Sequence, residues 1–466
     1  MWNLADKGDR IAMIDGDRRV SYAELAALCD SIGEKLPERS LVFCLCTNTV
    51  GSVAGYLSFT EAGHVPLLLD AKISRDLLGQ LIDAYHPGWF WAPKSDVEKL
   101  PECRCVYEAE DYGLMAADVG PAFPMSEDLC LLISTSGSTG SPKLVRQSYR
   151  NIRSNTEAIV EYLNITSSER AITSLPMNYV YGLSVVNTHI HAGATLVLTG
   201  LNPYAKKFWE LVNREEVTSF AGVPFTYEMI DKLRILKLEM PTLRTLTQAG
   251  GKLSPELHRK YAAWARETGR RFIVMYGASE ATARMGYLPS ERSIEKEGSM
   301  GIPIPGGRFE LIDADGSVID GADQVGELVY YGDNVTLGYA LRGEDLSKPD
   351  ENGGRLVTGD MARRDADGFY YIVGRKKRFL KILGKRINLD DVERLLKRRF
   401  DTADIACGGK DDELWIYVVD EALKGETVEY VFSEMDINRK LQKAACIPEI
   451  PRNASQKVLY SQLPPL

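Results

Sequence analysis

Apolar runs and helical stripes take turns along the first 300 or so residues of the chain. Tyr22–Leu36 carries Leu25, Ala26, Cys29 and Ile32 at helical spacing. Leu41–Cys46 is a continuous apolar run of strand length, Ser52–Ala62 returns to helical spacing, and Gly63–Asp70 reads as a turn entering a strand. The alternation continues through Leu129–Ile133, Glu157–Leu163, Ala194–Leu198, Phe208–Val212 and Arg271–Met275. Strands without polar alternation are buried on both faces, so this pattern predicts a mostly parallel sheet arrangement covered by helices.

After about residue 300 the texture changes. Phe309–Asp313, Gly326–Tyr331 and Phe369–Val373 are short and strand-like, separated by turns such as Asp315-Gly316 and Asp367-Gly368. They predict a small β-rich subdomain over residues 300–376. The run Gly374-Arg375-Lys376-Lys377-Arg378 interrupts it, and beyond lie Asn388–Arg399 as helix and Leu414–Val419 as strand. The expected fold class is α/β: a large N-terminal domain, residues 1–377, and a small mobile α+β C-terminal domain, residues 378–466.

Composition narrows the partners. A chain of 466 residues suffices for two domains with a sizeable core. Its net charge of −9 argues against nucleic acid or an anionic membrane as the main partner. The basic cluster 375–378 then reads as a phosphate or ribose contact at a domain junction. No apolar run reaches membrane-spanning length, and the N-terminus lacks a basic segment followed by an apolar one. None of the eight cysteines forms C-x-x-C and most sit in apolar strings, which predicts buried free thiols and a cytoplasmic protein. His189 and His191 have a spacing that admits a metal pair, but beside the apolar run Ala194–Leu198 they read as residues at the end of a helix or strand.

The chemistry enters at residues 134–143, Ser-Thr-Ser-Gly-Ser-Thr-Gly-Ser-Pro-Lys, directly after the apolar run Leu129–Ile133. Glycines let a backbone approach phosphate closely, N–H groups and hydroxyls donate to its oxygens, and a lysine offsets its charge. Lys143 follows Pro142 and no Gly-Lys-Ser/Thr occurs, so this is not a Walker A loop.

Further motifs follow in order: Tyr276-Gly277-Ala278-Ser279-Glu280 after an apolar strand, Gly326-Glu327-Leu328 with Gly338-Tyr339, Thr358-Gly359-Asp360, Gly374-Arg375-Lys376-Lys377 through Lys381 and Gly384, and Pro451-Arg452-Asn453-Ala454-Ser455-Gln456-Lys457. From about residue 20 to 460 this ordered set resembles the adenylate-forming superfamily of acyl- and aryl-CoA ligases, nonribosomal adenylation domains and luciferases. Its pattern is nearest to stand-alone acyl-CoA ligases.

The resemblance implies a two-step reaction. A carboxylate attacks the α-phosphate of ATP, giving acyl-AMP and pyrophosphate, and a thiol then takes the acyl group. It assigns the ATP phosphates to Thr135, Ser136, Gly137, Ser138, Thr139, Gly140, Lys143 and Ser279, and Mg2+ to Glu280. It places adenine and ribose against Ala249, Gly250, Gly251, Tyr276, Gly277, Asp360 and Arg375. Lys457 is implied as the cation bridging carboxylate and α-phosphate, Lys377 as the hinge, and Lys381 with Gly384 as the thiolation loop presented when the small domain swings. The chain departs from the family pattern at Leu144, Arg378, Asn388 and Gln456, none of them a reacting group.

For the acid, the resemblance implies a pocket of Tyr179, Tyr181, Phe220, Ala221 and Ala278, suited to an aryl acid or a short-to-medium acyl chain. No acidic residue occurs between Leu175 and Ala192, which disfavours an α-amino acid because a buried ammonium lacks a counterion. For the acceptor, Arg375–Arg378, Lys385 and Arg386 suit CoA phosphates or an acidic phosphopantetheine-bearing carrier protein equally. CoA is the first expectation; loading of a carrier protein, an amide-forming variant and a degenerate nucleotide-binding protein stand as alternatives.

Overall fold

The computed structural model describes residues 1–134, 143–383, 385–402, 404–435, 437–452 and 458–466. By packing they fall into two compact units. One takes the described residues up to Phe309 together with Tyr330–Leu356, and the other takes Glu310–Val329 with Val357–Leu466.

The first unit contains a nine-stranded sheet, in spatial order Ile302–Pro303, Gly286–Leu288, Arg271–Tyr276, Thr245–Gln248, Ser219–Gly222, Arg170–Ile172, Thr195–Leu198, Ile11–Asp15 and Arg18–Ser21. The strands from Arg271–Tyr276 through Ile11–Asp15 run parallel. An eight-stranded sheet carries a second parallel core of Leu129–Ser134, Val65–Asp70, Leu41–Cys46 and Trp89–Pro93. The helices Val50–Glu61 and Val180–Ala192 are buried around most of their circumference. Tyr56 on the first donates to Asn187 on the second at 3.0 Å, so the two helices share one interior layer. The α/β class expected from the apolar runs is what the chain adopts.

Local sequence sets the element ends. Ser21 and Glu24 form a capping box at the start of helix Tyr22–Gly33, and Ser148 with Asn151 does the same for Tyr149–Leu163. The stripe at Glu157–Leu163 is therefore only the second half of a longer helix whose start is set by hydrogen bonding rather than by apolar spacing. Asn388 caps the helix Leu389–Phe400 by accepting from Asp390 N–H.

The second unit holds the antiparallel pair Arg355–Arg364 and Tyr370–Arg375, whose Arg355 and Leu356 belong to the first unit, and the hairpin Phe379–Ile382 with Lys385–Asn388. A three-stranded sheet follows, Ile405–Lys410, Glu413–Val418 and Gln442–Cys446, packed with the helices Leu389–Phe400 and Leu423–Met435 around Val392, Leu396, Ile416 and Val431.

All eight cysteines are free, but the expectation that they are buried needs correction: Cys105 and Cys446 are exposed and Cys103 is half-buried. Cys105 lies on Cys103–Ala109, the outermost strand of the eight-stranded sheet, where one face meets solvent. His189 and His191 lie in the last turn of Val180–Ala192. Among the described residues no group of three or more His, Cys, Asp or Glu is placed to hold a metal, and no helix is long and apolar enough to cross a membrane.

Candidate active site

Residues 135–140 of the phosphate loop, Gly384 and Lys457 lie outside the described residues. The flanks of the loop are described. Lys143 precedes the strand Leu144–Ser148, which pairs antiparallel with Gly338–Ala340 in the register Tyr339↔Val145. Lys143 is two positions before Val145, so its side chain falls on the same face as that pair. Its ammonium lies 3.3 Å from the centroid of the Tyr339 ring. The strand carrying Tyr339 is fastened by fully buried Arg146, which donates to the carbonyls of Tyr339, Leu337 and Lys348 and to Glu351.

The strand Arg271–Tyr276 ends in Tyr276, and the chain continues through Gly277 and Ala278 into the short turn Ser279–Ala281. A Cβ on Gly277 would sit 1.8 Å from the Ala283 carbonyl oxygen, so only glycine lets the chain fold back here. That return presents the Glu280 carboxylate to Tyr339, whose hydroxyl donates to Oε1 at 2.5 Å. Burial, reinforced by the Glu280 charge, raises the Tyr339 pKa and keeps the phenol a donor. Among the described residues, Glu280 Oε2 accepts no hydrogen bond. A hard carboxylate oxygen left open fits a magnesium ion whose other ligands come from water and phosphate.

Beside this strand, in parallel register, Thr245–Gln248 runs into Ala249, Gly250 and Gly251. Gly250 has φ +86°, and the Tyr179 hydroxyl lies 2.7 Å from where its Cβ would be, so Tyr179 leans directly on the backbone at the end of this strand. Tyr179 and Tyr181 meet edge to face with centroids 6.4 Å apart. Tyr181, at the start of helix Val180–Ala192, shares a hydrogen bond with Thr247 at 2.8 Å and faces a cavity of about 40 Å3.

Tyr181, Phe220 and Ala221 border that cavity; Tyr179 and Ala278 do not. The Phe220 ring packs on Trp209 and Tyr227, with centroids 5.3 Å and 6.3 Å away, and its neighbour Ala221 faces the other side of the strand.

Polar side chains outside the expected acyl pocket also line the cavity, among them Arg284, His189 and Glu169. His189 is buried, its Nδ1 is 2.9 Å from the Val185 carbonyl, and burial lowers its pKa. Arg284 is 97% buried and its guanidinium lies 4.0 Å from the Tyr181 ring centroid. The only sequence signal for it was one cation in the otherwise uncharged stretch Ala281–Leu288.

In the second unit, Asp360 and Arg375 stand opposite each other on paired strands and their charges approach to 3.3 Å. Lys376 pairs with Glu327 at 2.7 Å. Lys377 and Lys381 are exposed. The segment 381–383 is fastened by two backbone donors, Lys381 N–H to Asp411 at 2.8 Å and Leu383 N–H to Asp412 at 2.7 Å. Arg378 is buried against Asp390 and Glu393, at 2.5 and 2.6 Å, and beneath the Tyr460 ring at 3.6 Å.

Residues 2–340 match the family model described as AMP-binding enzyme. The 2-succinylbenzoate–CoA ligase of Bacillus subtilis (strain 168) is 27% identical over 98% of this chain and 95% of its own. The indoleacetate–CoA ligase of Aromatoleum aromaticum is 27% identical over 95% of this chain and 92% of its own. Among solved structures, o-succinylbenzoate CoA synthetase from Bacillus subtilis in complex with its acyl-adenylate intermediate superposes with a TM-score of 0.81, at 25% identity, covering 99% of this chain and 97% of that one. The same enzyme with ATP and magnesium gives 0.79, at 25% identity, over 99% and 98%. A match spanning well over half of the chain, with Tyr276, Glu280, Tyr339 and Lys143 gathered in one unit, establishes that this protein belongs to the AMP-binding enzyme family.

Proposed function

We infer that this protein is an AMP-forming acid–thiol ligase that activates an aryl or arylalkanoic carboxylic acid with ATP and magnesium and passes the acyl group to CoA. The observation that carries the choice of acid is the cavity lined by Tyr181, Phe220, Ala221 and Thr247, on the strand Thr245–Gln248 at whose carboxyl end Tyr179 packs on Gly250. In parallel sheets ligands bind beyond the carboxyl ends of the strands, so an acid with its carboxylate at Gly250 points its tail down into this cavity. The relatives named for succinylbenzoate and indoleacetate act on acids with an aromatic ring, which supports the same class.

In the first step the acid carboxylate attacks the α-phosphate and pyrophosphate leaves. Residues 135–140 and Ser279 donate to the phosphates, and Lys143 leaves the Tyr339 ring to meet them. Glu280 would hold a magnesium ion, whose charge would offset that of the phosphates. Tyr276 stacks on adenine beside the thin wall of Gly250 and Gly251. Asp360 accepts from the ribose hydroxyls, with Arg375 supporting it. Lys457 lowers the repulsion between two approaching anions, an electrostatic contribution of the kind that usually dominates such steps. In the second step the small domain, residues 378–466, turns about Lys377, withdraws Lys457 and brings the Lys381–Gly384 loop to the thiol.

A carrier protein is the second reading for the acceptor, supported by the exposed cations Arg375, Lys376, Lys377 and Lys381, which suit an acidic partner as well as CoA phosphates. An amino acid remains disfavoured for a further reason: Arg284, buried at the cavity, is a cation, and the carboxylate in the same lining, Glu169, is engaged by Arg244 at 3.1 Å. The test is pyrophosphate release with ATP and magnesium across a panel of aryl, arylalkanoic, aliphatic and amino acids, each repeated with CoA and with a holo-carrier protein. Release that depends on an aryl acid and is accelerated by CoA is the expected result. Release with aliphatic acids alone overturns the acid class, and acceleration by the carrier protein alone overturns the acceptor.

A further inference from the structure

Arg284 is a buried cation without a counterion among the described residues. Its backbone is pinned by Asn155 and Asn334, whose side chains donate to its carbonyl at 2.9 and 2.8 Å. The guanidinium donates from Nη1 to the Ala283 carbonyl at 3.0 Å and reaches the Ser184 hydroxyl with Nη2 at 3.5 Å. Nε has no hydrogen-bond partner among the described residues. Among the described residues no carboxylate lies within ion-pair distance of it. Glu169, the acid lining the same cavity, is engaged by Arg244 at 3.1 Å and by the Thr218 hydroxyl. Arg271, a second cation at the cavity, donates to the Leu163 carbonyl and Thr245.

A guanidinium stays charged in proteins, and desolvating it without a partner costs several kcal/mol, on the order of the penalty for any buried ion. The Tyr181 ring offsets part of this, about 2 kcal/mol for a desolvated cation over an aromatic face. The unused donors have a planar fork geometry that matches a carboxylate. The missing anion is therefore one that the substrate brings.

We propose that the acid activated by this protein carries a second carboxylate, remote from the one that is adenylated, and that Arg284 is the residue that selects it. This rests on the ligase reading above. The two carboxylates are then separated by the distance from Gly250 to the level of Thr247, which is at most ~10 Å for three extended residues. An aromatic ring with a short side arm spans that interval. The cavity supplies space for the remote carboxylate, since about 40 Å3 exceeds the ~10–15 Å3 that one water needs.

The experiment uses the full chain and matched acids: 2-succinylbenzoate, its 3- and 4-carboxy isomers, and 4-oxo-4-phenylbutanoate, which lacks the ring carboxylate. Wild-type pyrophosphate release should favour at least one diacid over the monoacid by 30-fold or more in kcat/KM. Arg284→Met should lower that ratio by at least tenfold, mainly through KM of the diacid, and Arg284→Lys should lower it less. The preferred diacid should also raise the wild-type melting temperature more than the monoacid does, a readout that needs no turnover and no variant. Equal use of both acids by the wild type, or an equal loss of both in Arg284→Met, overturns the inference and leaves the ligase standing. Release with no acid of any class overturns the ligase reading and, with it, the role of Arg284.

Discussion

The Tyr339 hydroxyl donates to Glu280 Oε1 at 2.5 Å, and the face of the same ring holds the Lys143 ammonium. One side chain thus positions both the proposed metal carboxylate and the proposed phosphate lysine. Tyr339→Phe removes the hydrogen bond and keeps the ring. Groups that orient a metal-binding carboxylate are worth about 10–100-fold in metal affinity or activity, so the variant should need at least tenfold more magnesium for half-maximal pyrophosphate release. Tyr339→Leu should add a loss in ATP binding by freeing Lys143. A magnesium titration of Tyr339→Phe that overlays the wild type would show that Glu280 is oriented by something else.

Arg378, where the chain departs from the family pattern it resembles, joins Asp390, Glu393 and Tyr460 within the C-terminal unit. Burial opposes its charge, but Glu393, Tyr460 and Asp390 more than offset this and raise its pKa. The Tyr460 hydroxyl closes the network by donating to Glu393 at 3.0 Å. Because Tyr460 lies three residues after Lys457, the network ties the residue next to the proposed hinge to the segment following the proposed catalytic lysine. Arg378→Met breaks a buried ion pair, a change that typically costs about 3–5 kcal/mol, and leaves Glu393 with Lys397 at 3.3 Å as its remaining cation. Hydrogen exchange within Leu389–Phe400 and Ile405–Lys410 should accelerate accordingly, while the strands of the nine-stranded sheet keep their protection. Unchanged exchange in those two segments would remove Arg378 from this role.

What could be read before the fold was known follows from how locally each feature is encoded. The parallel strands were legible because a strand buried on both faces is written as an uninterrupted apolar run, as in Leu41–Cys46 and Leu129–Ile133. The motif order was legible because each motif is contiguous. Tyr339 was visible only as half of a Gly-Tyr pair; its work depends on strand Gly338–Ala340 lying beside Leu144–Ser148, a pairing between distant segments. Arg284 carried no periodic signal, since its significance comes from Tyr181 and Ser184 on a helix far away in sequence. Phe220 was named for its aromatic ring, and which way a ring faces depends on strand register.

Acidification should destabilise the protein before its carboxylates titrate. Burial lowers the pKa of His64, His189 and His258 below the usual value near 6.5. Below that value the unfolded chain binds protons that the folded chain refuses, so stability falls as pH drops from about 6.5 toward the folded-state values. Above it these histidines are neutral in both states and contribute no slope. Urea midpoints at pH 7.5 and 5.5 should therefore differ, and His189→Gln should shrink the difference. His189 sits with its ring nitrogens near Val185 and Ser219 and within the field of Glu169, whose charge raises its pKa and moderates the effect. A midpoint that rises on acidification over this interval would show that the three rings gain protons inside the fold.

Lys457 is proposed to divide the labour between the two half-reactions. If it bridges carboxylate and α-phosphate, removing its charge matters only where two anions must meet. Lys457→Ala should then lower acid-dependent pyrophosphate release by at least 100-fold, as expected when a preorganised charge at the reacting centre is lost. Transfer from chemically supplied acyl-AMP to CoA needs no such bridge and should persist at close to the wild-type rate. Lys381→Ala should show the reverse, with adenylation retained and transfer slowed, if, as proposed, its loop reaches the site only after the small domain has turned. Following both half-reactions in both variants gives four rates, and the assignment requires the two losses to cross. If Lys457→Ala slows both steps equally, the lysine serves the fold or ATP binding rather than the bridge. If Lys381→Ala leaves transfer untouched, the loop is not what presents the acyl-adenylate to the thiol.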